Sequence, residues 1–374
     1  MGFQVQRRKT RTVMVGKTPI GGDHLISVQT MTKTKTDDVA ATVKQIHAAQ
    51  DVGVDIVRVA VPDHEAAAAL PEIIRQTRVP LIADIHYAHG LALKAFEAGI
   101  HCVRMNPGNV KLDLMQKIVA MARDTGKSMR IGINAGSIEP RKGLQVNKDM
   151  ELEMADLMVD TAIDWCERFE SWGFKNFKVS LKSSDPLTTI YTNRRFAKLT
   201  DVPLHMGVTE AGTLEASTVK SCVGLGTLLS EGIGDTIRIS ITGNPVDEVR
   251  VGLDLLASLR LRKKNVDIVS CPSCGRDEVD GGVEVLARGV EEAMKGYKGN
   301  ITVSVLGCIV NGPGEAGQAD FGIVGAKDAG YLYKGEALLR RIPNHLLVSE
   351  LMKEVHIEEA RRKADKSLKA LSGA

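Results

Sequence analysis

The 374-residue chain is longer than one hydrophobic core usually organises, which predicts a large domain joined to a smaller one. With 43% hydrophobic and 25% charged residues the composition is globular, and 4% aromatic content excludes a stacking platform for single-stranded nucleic acid. The 49 basic and 46 acidic residues nearly cancel to a formal charge of +3, which argues against a DNA or membrane partner and leaves room for a local positive cluster inside a cleft.

The basic start MGFQVQRRKTRTV leads into no apolar signal core, and no run approaches the roughly 18 apolar residues of a membrane span, so a cytoplasmic location is expected. Gly21 and Gly22 read as a turn. Eight short apolar, β-branched runs follow, each succeeded by a helical pattern with apolar residues three and four apart. The first run, 26–31 (ISVQTM), precedes a helix over 38–50 that Asp37 and Asp38 can open. The second, 56–61 (IVRVAV), carries Arg58 and leads to a helix over 63–76 with Asp63 at its start. Asp84 and His86 lie in 80–86 (PLIADIH), before a helix over 88–98. Arg104 and Asn106 lie in 102–108 (CVRMNPG), before a helix over 111–125. Arg130 and Asn134 fall in 130–136 (RIGINAG), and a long helix over 149–171 follows. Lys178 and Lys182 belong to 177–183 (FKVSLKS), with a helix over 187–199. His205 and Glu210 belong to 203–210 (PLHMGVTE), with a helix over 214–229. Arg238 sits in 236–242 (TIRISIT), and Pro245 opens the last helix of the series, 245–260. Gly53, Gly99 and Gly126 stand just past helices as stops.

An alternation of this length closes most economically as a (β/α)8 TIM-type barrel, an α/β fold predicted over residues 1–264. The competing architecture, an open doubly wound sheet, lacks its GxGxxG loop after the first strand. Charges are too costly to scatter unpaired through a packed barrel, so those on the strands must pair or gather at the wet C-terminal mouth. Arg58, Arg104, Arg130, Lys178, Lys182 and Arg238 would make that mouth a positive basin, fit for a small, multiply phosphorylated substrate. Asn106, Asn134 and His205 join them as candidate contacts, although His86 and His205 read equally well as core histidines. Asp84, His86 and Glu210 are candidates to hold a hydroxyl or move a proton. Ser217, Thr218 and Lys220 offer further anion contacts at a helix start.

After Arg262 the pattern changes to a small α+β domain, 265–374: a strand at 266–271, a helix at 283–295, a strand at 301–307, two short strands near 321–325 and 331–334, and a charged helix over about 346–368. Of the six cysteines, Cys102, Cys166 and Cys222 lie singly in strand or helix patterns and read as small buried hydrophobes. Cys271 and Cys274 form a CxxC, by itself ambiguous between a metal chelate and a redox pair. Cys308, ending a neighbouring strand, adds a third thiol and favours metal. Structural zinc wants a fourth closed ligand, and His345 and His356 lie far down the chain. Three thiolates with an oxygen donor suit a [4Fe-4S] cube, and Glu315, in the loop after Cys308, is that donor.

The segments CPSCG (271–275), GCIVNGPGEA (307–316), ADIHY (83–87), RMNPGN (104–109), IGINAGS (131–137) and GVTEAG (207–212), with the opening IxVQTMT, resemble the 4-hydroxy-3-methylbut-2-enyl-diphosphate synthase family of the non-mevalonate isoprenoid route. The resemblance runs from about residue 4 past 365, in the bacterial two-domain layout. It implies one [4Fe-4S] cluster per subunit on Cys271, Cys274 and Cys308 with Glu315 completing the ligand set. It also implies a substrate, 2-C-methyl-D-erythritol 2,4-cyclodiphosphate, reduced to (E)-4-hydroxy-3-methylbut-2-enyl diphosphate, in a homodimer whose cluster domain closes over the partner's barrel. With no nucleotide motif in the chain, electrons are expected from flavodoxin or ferredoxin. Two other classes stay open on the residues alone: a zinc-stabilised sensor of a phosphorylated metabolite, and a non-redox phosphate-handling barrel enzyme with a structural metal.

Overall fold

The computed structural model describes residues 4–372 other than 87, 136–150, 264, 280, 298 and 311. They fall into two compact units that divide between Arg262 and Lys263.

The first unit begins with a hairpin that local pattern did not announce, β1 (Val13–Val15) and β2 (Thr18–Ile20). Val15 and Ile20 bury themselves against Ile56, Ile82 and Cys102, which floors the sheet that follows. That sheet contains eight parallel strands: β3 (Ser27–Met31), β4 (Ile56–Ala60), β5 (Leu81–Ile85), β6 (Cys102–Met105), β7 (Ser128–Asn134), β8 (Phe177–Lys182), β9 (His205–Met206) and β10 (Thr236–Ile237). Its order, β8-β7-β6-β5-β4-β3-β10-β9, is joined end to end by a parallel bridge between Val179 and Leu204, so the expected (β/α)8 barrel closes.

The helices fall where apolar spacing placed them: α1 (Val39–Asp51), α2 (His64–Gln76), α3 (Leu91–Glu97), α4 (Leu112–Asp124), α5 (Glu151–Ser171), α6 (Pro186–Leu199), α7 (Leu214–Ser230) and α8 (Pro245–Ser258). Asp38 and Asp63 cap α1 and α2 by accepting from the amides of Ala41 and Ala66, and Asn244 caps α8 ahead of Pro245. The apolar core lies between the helices and the outer faces of the strands. The barrel interior is thereby left to the alternate residues, many of them polar.

The N-terminal segment is tied to the barrel by Asp235, 2% exposed. Its carboxylate accepts from the Leu204 amide at 2.9 Å, from Thr10 Oγ1 at 2.9 Å and from Arg7 Nη2 at 3.1 Å. Asp235→Ala strands all three donors and is expected to cost about 3–5 kcal/mol, read as a lowered urea midpoint for the barrel. A loss under about 1 kcal/mol would show that this latch contributes little.

The second unit is built on a five-stranded sheet, β11 (Val266–Ser270), β12 (Ile301–Leu306), β13 (Phe321–Val324), β14 (Gly330–Lys334) and β15 (Ala337–Ile342). The first three strands run parallel and the last two antiparallel. Strand β15 was not expected; its run ALLRRI shows no alternation of apolar and polar residues. Helices α9 (Gly282–Ala293) and α11 (Leu347–Ser372) share one core with the sheet through Val283, Leu286 and Val290, and Leu347, Leu351 and Val355. A short helix, α10 (Gly312–Ala316), forms where a loop was expected and packs Ala316 against Leu306 and Val324. Among the described residues, no helix is long and apolar enough to cross a membrane.

Candidate active site

Strand alternation turns every second barrel residue inward, and the parallel register sets Asp84 beside Arg104, Arg104 beside Arg130, and Arg130 beside Lys178. Arg58, Asp84, His86, Arg104, Arg130, Asn134, Ser180, Lys182, Thr209, Arg238 and Ser240 line a cavity of about 90 Å³ at the C-terminal ends of the strands. Two glycines make room for the long side chains: a Cβ at Gly132 would stand 2.3 Å from Arg104 Nε, and one at Gly207 would stand 2.7 Å from Lys182 Nζ.

Asp84 is the acid at the centre. Arg104 Nη1 donates to its Oδ1 at 3.2 Å, while Arg58 Nε and His86 Nε2 lie 3.7 and 3.4 Å from Oδ2. Burial works to raise the Asp84 carboxyl, but Arg58, the His86 hydrogen bond and Arg104 together hold it far below the ordinary range, so it stays ionised. Arg58, desolvated by burial against that attraction, is lowered to about 10. Arg130 is 1% exposed and is pushed well down by burial and by its neighbours Arg58 and Arg104. Among the described residues, its Nε and Nη1, with Nε of Arg104, are buried without a hydrogen-bond partner, as donors aimed at an anion would be.

Several sequence expectations need correction. Arg238 lines the cavity with its charge paired: Glu248, fully buried on α8, accepts from its Nε and Nη2 at 3.0 and 2.9 Å, and from Lys33 Nζ at 2.8 Å. Glu248 lies on a helix, so the strand residues alone do not reveal it. Lys178 does not line the cavity. It is fully buried, and its Nζ reaches Cys102 Sγ at 3.7 Å. His205 is likewise absent from the lining; it is fully buried, 3.2 Å from Lys182 Nζ. Asn106 accepts from the Gly108 amide at the turn after β6, and Glu210 is exposed at a φ of 52°; neither lines the cavity. Ser217 is committed to the Ser240 carbonyl and Thr218 to the Leu214 carbonyl, which removes them as anion contacts. Cys222 is exposed rather than a buried hydrophobe, whereas Cys102 and Cys166 are buried as expected. The missed lining residues, Ser180, Thr209 and Ser240, were findable by period, for each stands two residues from an inward-facing position.

In the second unit, Cys271 follows β11 and Cys308 follows the paired strand β12, one residue beyond Gly307. The Cys271 amide donates to the Val305 carbonyl at 3.1 Å, and the Gly307 amide points at Cys271 Sγ from 3.4 Å. Asp277 braces the CPSCG loop, accepting from the amides of Val279 and Val283 and from Ser273 Oγ. The Arg276 amide and guanidinium draw the Cys274 thiol below its ordinary pKa, and Arg276 is raised in turn by both Cys274 and Cys308. All three thiols are unpaired. Among the described residues no three Cys, His, Asp or Glu side chains converge as a ready-made ion site. The donor chemistry nevertheless fits an iron–sulfur cluster: three free thiols on adjoining loops, an amide aimed at one sulfur, and a cation that favours thiolate. Glu315 is exposed on α10.

Two family models match the chain, the GcpE TIM-barrel domain over residues 10–253 and the GcpE protein C-terminal domain over residues 267–357. A relative from Alcanivorax borkumensis named 4-hydroxy-3-methylbut-2-en-1-yl diphosphate synthase (flavodoxin) is 44% identical, with 97% of this chain and 96% of the relative covered. Relatives of the same name from Aquifex aeolicus and Ruthia magnifica are 44% and 47% identical, each covering 94% of this chain and 97% of its own.

Proposed function

The chain belongs to the GcpE family, and on that premise we infer that it catalyses the two-electron reductive ring opening and dehydroxylation of 2-C-methyl-D-erythritol 2,4-cyclodiphosphate to (E)-4-hydroxy-3-methylbut-2-enyl diphosphate. It is an oxidoreductase, and flavodoxin supplies its electrons, as the names of its relatives say of them. The observation that carries the reading is the cavity itself: Arg58, Arg104, Arg130 and Lys182 converge there, with donor atoms on Arg104 and Arg130 that no group among the described residues satisfies.

Arg130, Arg104 and Lys182 bind the two phosphates, and Asn134, Ser180, Thr209 and Ser240 supply uncharged contacts around them. Asp84 fixes Arg58 and Arg104 in orientation, and Glu248 does the same for Arg238. Positive charge held against the phosphate stabilises the negative charge it gains as its C–O bond breaks. With Asp84 locked ionised, the other acid–base candidates that the sequence offers are His86, half exposed beside it, Glu210 and Glu315. Cys271, Cys274 and Cys308, with Glu315, would hold one [4Fe-4S] cluster per subunit. Bound there, it would pass electrons singly and supply a Lewis-acidic iron. The unpaired thiols suit a reducing cytoplasm, and a homodimer completes the proposed assembly.

The reading is tested by anaerobic assay of the cyclodiphosphate with a low-potential reductant, alongside iron and sulfide analysis. Glu315→Gln is expected to keep its iron and sulfide while turnover falls about 100-fold or more. Normal turnover in that variant removes Glu315 from the chemistry, and a single zinc in place of iron would favour a binding protein.

A further inference from the structure

Lys182 and His205 form a further polar pair in the barrel. Lys182, on β8, is 5% exposed, and among the described residues no carboxylate lies within ion-pair distance of its ammonium. Its Nζ lies 3.2 Å from Nε2 of His205, which is fully buried on β9 and turns Nδ1 to Thr236 Oγ1 at 3.5 Å. The charged groups facing the pair are Arg58 on β4, Arg104 on β6, Arg130 on β7, Lys178 on β8 and Arg238 after β10. The nearby acids are already engaged, Asp84 by Arg58 and Arg104, and Glu248 by Arg238 and Lys33.

Protonating this pair adds positive charge to a dry cluster of guanidiniums, which both desolvation and Coulomb repulsion oppose. An incoming phosphate offsets part of that repulsion, so the same proton becomes easier to hold. We propose that Lys182 and His205 are a proton-accepting pair loaded by the arriving anion: the resting cavity keeps them short of a proton, and phosphate binding draws one onto them from solvent. Burial first, and then the surrounding cations, hold both groups well below their ordinary pKa, in keeping with that resting state. The shared hydrogen bond lets the acquired proton sit on either nitrogen. No covalent bond changes in this step; the proton comes from water or buffer and is set beside the phosphates of a reaction that ends by expelling water. The inference rests on the phosphate-binding reading of the cavity and adds to it a coupling that contact geometry alone does not require.

Sulfate tests it on the whole protein, because sulfate carries no titratable proton near neutrality and any uptake must belong to the protein. Calorimetric titrations with sulfate at mildly alkaline pH, in buffers of different ionisation enthalpy, are expected to show uptake approaching one proton per bound anion. Lys182→Met should still bind sulfate, about tenfold more weakly, with no uptake. His205→Asn should bind with diminished uptake. His86→Gln, which removes the other histidine at the mouth, should leave uptake unchanged. Binding heats that are the same in every buffer would overturn the proposal, as would uptake that survives in Lys182→Met and vanishes in His86→Gln. Failure of the wild type to bind sulfate would overturn the phosphate-site reading itself, and this proposal with it.

Discussion

Cys274→Ser is expected to abolish iron binding and turnover together. A serine hydroxyl is not deprotonated at neutral pH and is a poor donor to iron, whereas Arg276 already draws the Cys274 thiol toward thiolate. Cys274 is exposed and belongs to no apolar cluster of the second unit, so its loss leaves the protein core intact. The variant should therefore keep the far-ultraviolet spectrum and solubility of the parent while losing visible iron–sulfur absorbance and all but a trace of activity. Cys166→Ser is the counter-experiment. That thiol, on α5, is buried in the apolar core of the barrel unit and pushed up to about 12 by burial, so its replacement should lower stability and spare the iron. Turnover by Cys274→Ser in the absence of iron would remove the second unit from the chemistry.

Arg130→Met is expected to lower kcat/KM by about 100- to 1,000-fold, the range for removing an oriented charged donor from a developing anion. Both Nε and Nη1 of Arg130 are buried without partners, and Arg58 and Arg104 crowd it with like charge. The same substitution should therefore stabilise the protein without ligand, by about 1–4 kcal/mol, since a buried cation crowded by like charge is replaced by an apolar chain of similar length. This pairing of opposite signs is the useful part. A merely structural arginine would lose stability and activity together, and a fall in the thermal midpoint alongside lost turnover would reassign Arg130 to the scaffold.

Much of this site could be read before folding. All eight barrel strands and their helices stand close to the positions that apolar spacing assigned, because period and capping act over a few residues and need no distant partner. Arg58, Asp84, Arg104, Arg130 and Lys182 were recognisable as polar residues on strands too apolar to carry them without purpose. The hairpin β1–β2 is hidden in the sequence because its six strand residues are too few to show alternation, and β15 because its run ALLRRI does not alternate.

The sequence by itself determined the alternation that makes a barrel, the basic character of its interior and three thiols without a fourth, since each is a matter of residue type and short spacing. Only the tertiary structure decided which of the cations remain available to a ligand. Glu248 reaches Arg238 from a helix, Lys178 turns to Cys102 rather than the mouth, and Lys182 meets His205 across the junction of β8 and β9. Charge neutralisation depends on distances of a few ångströms between elements far apart in the chain, and no local pattern of residues encodes them.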